Sequence, residues 1–257
     1  MEKMSTCIMT YNEEENIVDC INSVKEFSDE ILVVDSFSTD KTVEIVKNMG
    51  ARVILQKFLG YAEQRQFAIN NAKYNWIFCL DADERASKEL TEKILELKKN
   101  NFLDYQGFYV NRRNYYMGKW IKYGGWYPEK RIRLFNRNYG RSIGVNPHDK
   151  IEMKENAKIG DLNLDIIHFP YKDLTHHLEV INRYSTIAAK EKVNRGEKVT
   201  FLNLIFNPAF KFFKAYILKK GFLMGKMGFI HATMGAFSVF MKYLKTLEMQ
   251  NGKSEKS

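Results

Sequence analysis

Between residues 5 and 80, short apolar runs alternate with segments whose apolar residues recur every three or four positions, a pattern that predicts parallel strands joined by crossover helices. Cys7-Ile8-Met9 is the first run, and Ile17, Ile21, Val24 and Phe27 mark the helix that follows. Ile31-Leu32-Val33-Val34 is the second, after which Ser38 or Asp40 can cap a helix carrying Val43, Ile45 and Val46. Arg52-Val53-Ile54-Leu55 and Trp76-Ile77-Phe78-Cys79-Leu80 supply two more strands, with a helix over 61–73 between them and another over 87–99 beyond. From 107 to 168 the chain becomes aromatic, arginine-rich and strand-like. There Gly124-Gly125-Trp126-Tyr127-Pro128-Glu129 reads as a loop and Arg131-Ile132-Arg133-Leu134-Phe135 as an alternating strand. After His168 the pattern is helical, amphipathic over 174–193 and a mixture of bulky apolar residues and lysine over 201–247.

Polar residues fall where the strands end. Thr10-Tyr11-Asn12-Glu13, Asp35-Ser36 and Asp81-Ala82-Asp83 each follow an apolar run, and open parallel sheets bind ligands beyond the carboxyl ends of their strands. Two carboxylates one residue apart suit a hard divalent cation and the diphosphate it carries. Capping the helix over 87–99 would use one of them but not both. Arg65 lies in the early turns of the 61–73 helix, near the same exits, where it meets a phosphate or remains a solvated helix arginine.

Composition narrows the class. With 257 residues, 45% hydrophobic and 14% aromatic, the chain can bury one large domain, alone or with an appendage, and is not a disordered polymer. The formal charge of +9 points to an anionic partner. It is concentrated late: over 201–257 nine lysines face only Glu248 and Glu255, a net +7. Lysine mixed with Phe, Leu and Met predicts helices lying in an anionic membrane interface over 173–250, the alternative being a packing appendage or an interface for a homo-oligomer. Residues 251–257 read as a disordered tail. The longest apolar stretch, 227–241, is broken by His231 and Thr233 and is short of the about 18 residues of a spanning helix. Cys7, Cys20 and Cys79, embedded in apolar runs, are expected as buried thiols of a reducing compartment. The first residues lack the apolar core of a signal peptide, so a cytoplasmic protein bound peripherally to the inner face of the cytoplasmic membrane is expected. Nothing resembles a nucleic-acid motif, and no nucleic-acid partner is expected.

Taken in order, the Thr10-to-Glu13 exit, the stretch from Val34 to Asp40, Gly60 to Arg65 and Leu80-Asp81-Ala82-Asp83 resemble the inverting family 2 of nucleotide-sugar glycosyltransferases across about the first hundred residues. The remainder resembles the branch that includes lipopolysaccharide core β-glucosyltransferases, through the 124–129 loop, the 131–135 strand, Pro147-His148-Asp149 and Ile167-His168-Phe169-Pro170-Tyr171. The resemblance implies a GT-A fold, a Rossmann-like α/β mixed sheet flanked by helices. It would occupy 1–172, with a nucleotide-sugar half over 1–100 and an acceptor half over 101–172, followed by the helical appendage. It implies an enzyme that moves a hexose from a UDP-sugar to a hydroxyl of a lipid-linked or cell-envelope glycan such as lipopolysaccharide core, with Mn2+ or Mg2+. Thr10, Asn12, Glu13 and Asp35 would hold the nucleoside, Arg65 would sit near base or phosphate, Asp81 would approach the ribose and Asp83 would ligate the metal. His168 would join Asp83 as a ligand or serve as a hydrogen-bonded structural residue. Trp126, Tyr127 and Arg131 would hold the acceptor.

The attacking hydroxyl must lose a proton, so a carboxylate base is needed. Asp149, where related sequences carry His-Glu, is favoured over Glu129. Two other classes compete: a non-catalytic basic module binding membrane or nucleic acid, and a metal-dependent phosphatase or nucleotidyltransferase. The second wants its acidic pair after the first strand, and no G-x-x-x-x-G-K loop is present.

Overall fold

Strands covered on both faces need apolar residues in both phases of their alternation, and the first half of the chain supplies them. The computed structural model describes residues 2–145 and 148–254. One unit comprises Met1–Arg113 with Glu129–Phe169, the other Asn114–Pro128 with Pro170–Ser257. In β1 (Met4–Thr10), Met4 and Ile8 enter one core and Cys7 the other. Helix α1 (Ile17–Val24) buries Ile17, Cys20, Ile21 and Val24; Phe27 is buried past its end rather than within it. β2 (Glu30–Asp35) pairs parallel with β1, and α2 (Thr42–Asn48) returns the chain to β3 (Arg52–Leu55), parallel to β2. Gly60, at φ +122°, opens α3 (Tyr61–Asn71), a backbone angle that side chains disfavour.

β4 (Trp76–Asp81) pairs parallel with the free side of β1. Its Trp76, Phe78 and Leu80 enter the core beneath α1, while Ile77 and Cys79 enter the core that α3 covers with Ala68, Ile69 and Ala72. Period two therefore carries Asp81 to the α3 face. Phe78 and Leu80 are fully buried, each contributing about 1.5–3 kcal/mol toward holding this strand end in place. All three cysteines are free buried thiols, as expected.

After β4 comes a strand that the sequence pattern does not predict, β5 (Glu84–Ala86), then α4 (Lys88–Lys99), whose Ser87 cap accepts a hydrogen bond from the Leu90 amide. β6 (Gly107–Tyr116), β7 (Lys119–Trp120), β8 (Glu129–Asn136), β9 (Gly140–Val145), β10 (His148–Met153) and β11 (Ile159–His168) complete the strands. The main sheet runs β3-β2-β1-β4-β8-β6-β11-β5, parallel from β3 to β4 and antiparallel where β8 joins β4. β9 and β10 form a separate antiparallel hairpin, with Asp149 opposite Gly144. The β6–β8 register slips by one residue: Phe108 faces Leu134 but Tyr109 faces Ile132, leaving Arg133 as a bulge.

The second unit holds α5 (Leu174–Asn194), capped by the Asp173 side chain, α6 (Phe201–Phe213), a π-helical turn at Lys214–Leu218, a 3-10 turn at Gly221–Met224 and α7 (Lys226–Ser254). Its small core joins Tyr116, Ile121 and Met227 with Trp126, Tyr171 and Ile230, and residues 114–128 group in this unit. Of the tail expected over 251–257, residues 251–254 are the end of α7 and the last three residues lie outside the described ones. No helix among the described residues is long and apolar enough to cross a membrane.

Candidate active site

Asp81, delivered to the α3 face by β4, meets Arg65 one turn into α3. The Arg65 side chain is 4% exposed; its NH2 donates to Asp81 Oδ1 at 3.1 Å and its Nε to Asp149 Oδ2 at 2.6 Å. The β9–β10 hairpin is tied to the same helix, since the Ser142 amide donates to Gln66 Oε1 at 2.7 Å. Residues 65, 81 and 149, far apart in sequence, thus share one guanidinium.

The network continues through residues that sequence reasoning missed. Arg133 NH2 donates to Asp81 Oδ2 at 3.1 Å and to Glu84 Oε1 at 2.7 Å, and the Asp81 amide donates to Glu84 Oε2 at 3.0 Å. Glu84 is fully buried. Arg112 approaches Glu84 at 3.7 Å and pairs with Glu129 at 2.8 Å, while Arg131 holds the other Glu129 oxygen at 2.5 Å and donates to the Asp149 carbonyl at 3.3 Å. Four carboxylates and four guanidiniums balance, which satisfies the requirement that charges out of water be paired. Burial would raise the Asp81 pKa, but Arg65, Arg133 and Arg112 outweigh it and hold the carboxyl well below its usual range. For Glu129, burial is likewise outweighed by Arg112 and Arg131, so its pKa is lowered. Burial acts to lower the Arg65 pKa, yet Asp81 and Asp149 raise it above the ordinary value.

Asp83 sits two residues on, with His168 from the end of β11 at 3.2 Å between Nε2 and Oδ2. The other oxygen, Oδ1, is buried without a hydrogen-bond partner among the described residues. A carboxylate with an unsatisfied oxygen beside an imidazole fits a divalent cation. Among the described residues no three or more His, Cys, Asp or Glu side chains form a metal cage, so phosphate oxygens and water would fill the rest of the coordination sphere.

The strand-exit residues form a separate cluster. The Asn12 amide donates to Ser38 Oγ at 2.8 Å and Asn12 Oδ1 accepts from the Thr39 amide at 2.8 Å, with Asn12 at φ +54°. Asp35 is fully buried and both its oxygens accept from Ser38, one from the amide and one from the hydroxyl. Glu13 accepts from Asn16, and Thr10 Oγ1 is buried without a partner among the described residues. Trp126 and Tyr127 belong to the second unit, where Trp126 lies 4.1 Å from the His231 ring. There Gly124, at φ +80°, leaves room that a Cβ would fill at 2.8 Å from His231, which accounts for a glycine in the 124–129 loop. Of the Pro147-His148-Asp149 motif, Pro147 lies outside the described residues.

The family described as Glycosyl transferase family 2 matches residues 5–152. The chain belongs to that family, and its mixed sheet is the GT-A fold. An uncharacterized glycosyltransferase of Rickettsia typhi is 33% identical over 258 residues, covering 97% of this chain and 88% of its own. The lipopolysaccharide core biosynthesis glycosyltransferase LpsC of Rhizobium meliloti is 32% identical over 256 residues, covering 94% of this chain and 91% of its own. Among solved structures, S. aureus TarS in complex with UDP-GlcNAc superposes with a TM-score of 0.47 at 14% identity, over 98% of this chain and 92% of that one, too distant to bear on function. Family membership sets aside the phosphatase, nucleotidyltransferase and non-catalytic readings.

Proposed function

We propose that the protein is an inverting hexosyltransferase that moves a sugar from a uridine diphosphate donor to a hydroxyl of a lipid-linked or cell-envelope glycan. The likeness to LpsC favours lipopolysaccharide core as the acceptor class. Such an acceptor would be met in the cytoplasm, at the inner face of the membrane. The observation that carries the reading is the shared guanidinium of Arg65, which holds a donor-side carboxylate, Asp81, and a carboxylate suited to be the base, Asp149.

Asp149 takes the proton of the attacking hydroxyl as the new glycosidic bond forms at the anomeric carbon. The bond to the diphosphate breaks on the opposite face, and its electron pair leaves with the phosphate. Arg65 fixes Asp149 Oδ2, leaving Oδ1 to reach the acceptor. Glu129, gripped by two arginines, is the weaker base and instead aligns Arg112 and Arg131. Asp81, held ionised, accepts from ribose hydroxyls, while Thr10, Asn12, Glu13 and Asp35 line the nucleoside. Asp83 and His168 would hold Mn2+ or Mg2+, which when bound neutralises charge on the departing diphosphate. Arg131, in the same unit as Asp149, would contact the acceptor.

A panel of nucleotide sugars, screened for transfer and hydrolysis with Mg2+ or Mn2+, tests the assignment. Asp149→Asn is expected to lose about 10²–10⁴-fold in kcat while retaining UDP affinity, and Glu129→Gln to lose far less. A full-rate Asp149→Asn enzyme would sink the base assignment.

A further inference from the structure

Helix α6 wears its apolar residues on the outside. It buries no residue; Asn203, Asn207 and Pro208 lie on its half-buried side, whereas Phe201, Leu202, Phe206 and Phe210 are 60–68% exposed. Ile205 and Phe213 extend that face, and Leu218, Phe222 and Leu223 continue it through the π-helical and 3-10 turns. An ordinary surface helix has the reverse arrangement, apolar stripe inward and polar face outward. Apolar surface this continuous marks a site of interaction.

The charges around the face select its occupant. Lys211, Lys214, Lys219, Lys220 and Lys226 are all exposed, and the sequence has no acidic residue from 201 through 247. Two copies docked through this face would set lysine against lysine with no carboxylate between them. A nucleic acid would satisfy the lysines and leave the phenyl rings unmatched. An anionic bilayer meets both demands, phenyl and leucyl side chains entering the acyl boundary while ammonium groups meet headgroup phosphates. At about 1.5 Å per residue α6 is roughly 20 Å long, enough to lie in the interface and too short to span.

We propose that the outer face of α6, continued through Gly221–Met224, is a docking surface for an anionic lipid bilayer. It gives the lipid-linked acceptor reading, on which its purpose rests, a place on the molecule. The full chain should co-sediment with vesicles of phosphatidylglycerol and phosphatidylcholine about tenfold better than with phosphatidylcholine alone, and high salt should reduce that binding. Phe206→Ser with Phe210→Ser should lower vesicle binding about tenfold with an unchanged melting curve, because both rings are exposed. Lys219→Glu with Lys220→Glu should remove the preference for the anionic lipid. Equal binding by wild type and the phenylalanine variant overturns the docking surface, as does a concentration-dependent dimer that the same variant dissolves without any vesicle binding. Donor hydrolysis in vesicle-free solution separates the two readings: its loss with vesicle binding intact would strike the enzyme assignment and leave the surface standing.

Discussion

At the scale of single residues, Glu84 and Asp83 have opposite jobs despite being neighbours. Glu84 is fully buried and meets Arg133, Arg112 and the Asp81 amide, so its charge is structural. Glu84→Gln leaves four guanidiniums facing three carboxylates and should cost about 3 kcal/mol in urea unfolding, within the range for breaking a buried pair; a change below about 0.5 kcal/mol would mean that Asp81 and Glu129 suffice for Arg133 and Arg112. Asp83 keeps a buried oxygen without a partner among the described residues, which suits the metal-ligand role proposed for it. In the sequence Asp83 stands out within Asp81-Ala82-Asp83, whereas Glu84, one residue on, does not. The burial of Glu84 depends on β5 pairing with β11, a contact across more than eighty positions that no local pattern reveals.

At the scale of elements, the strands β1 to β4 and the helices between them follow from hydrophobic period alone, because parallel strands buried on both faces leave an unbroken apolar run. The network around Asp81 was half legible. Arg65, Asp149, Glu129 and Arg131 stood out by type and motif, whereas Arg112 and Arg133 read as ordinary members of polar strands until pairing brought them to Glu129 and Asp81. The helices of the second unit carry a different signal. Burial, then the charges of His231 and His176, push the His177 pKa down to about 4. Burial and Lys211 push His231 down to about 4 against the pull of its hydrogen bond to Gly124. Both rings are neutral when folded, and Tyr116 bonds to His177 Nδ1 at 2.8 Å. Below the ordinary value of 6.5 the unfolded chain binds protons that the folded chain refuses, so stability is complete above pH 6.5 and falls as pH drops toward 4. Thermal melts across that window should show a declining Tm, and His231→Gln should flatten the decline; a Tm independent of pH there would contradict neutral buried rings.

At the scale of the whole molecule, charge is distributed by task. Around Asp81 the signs cancel pair by pair, while over 201–257 they accumulate to +7. A chain of this kind gains stability from a ligand that it binds only when folded. With UDP and Mn2+ at about a hundred times the dissociation constant, the gain should be about 2.7 kcal/mol, seen as a raised Tm. Asp83→Ala should abolish the Mn2+-dependent part and keep any part due to UDP alone; an unchanged Mn2+ effect would remove Asp83 from the metal. The bulge at Arg133 has a longer reach. Because the extra residue that breaks the β6–β8 ladder is itself the cation on Asp81 and Glu84, strand length and the charge around Asp81 are a single inherited trait. Among relatives, a one-residue deletion in β8 is therefore a change to the charge network around Asp81, even though an alignment would score it as a gap in a strand.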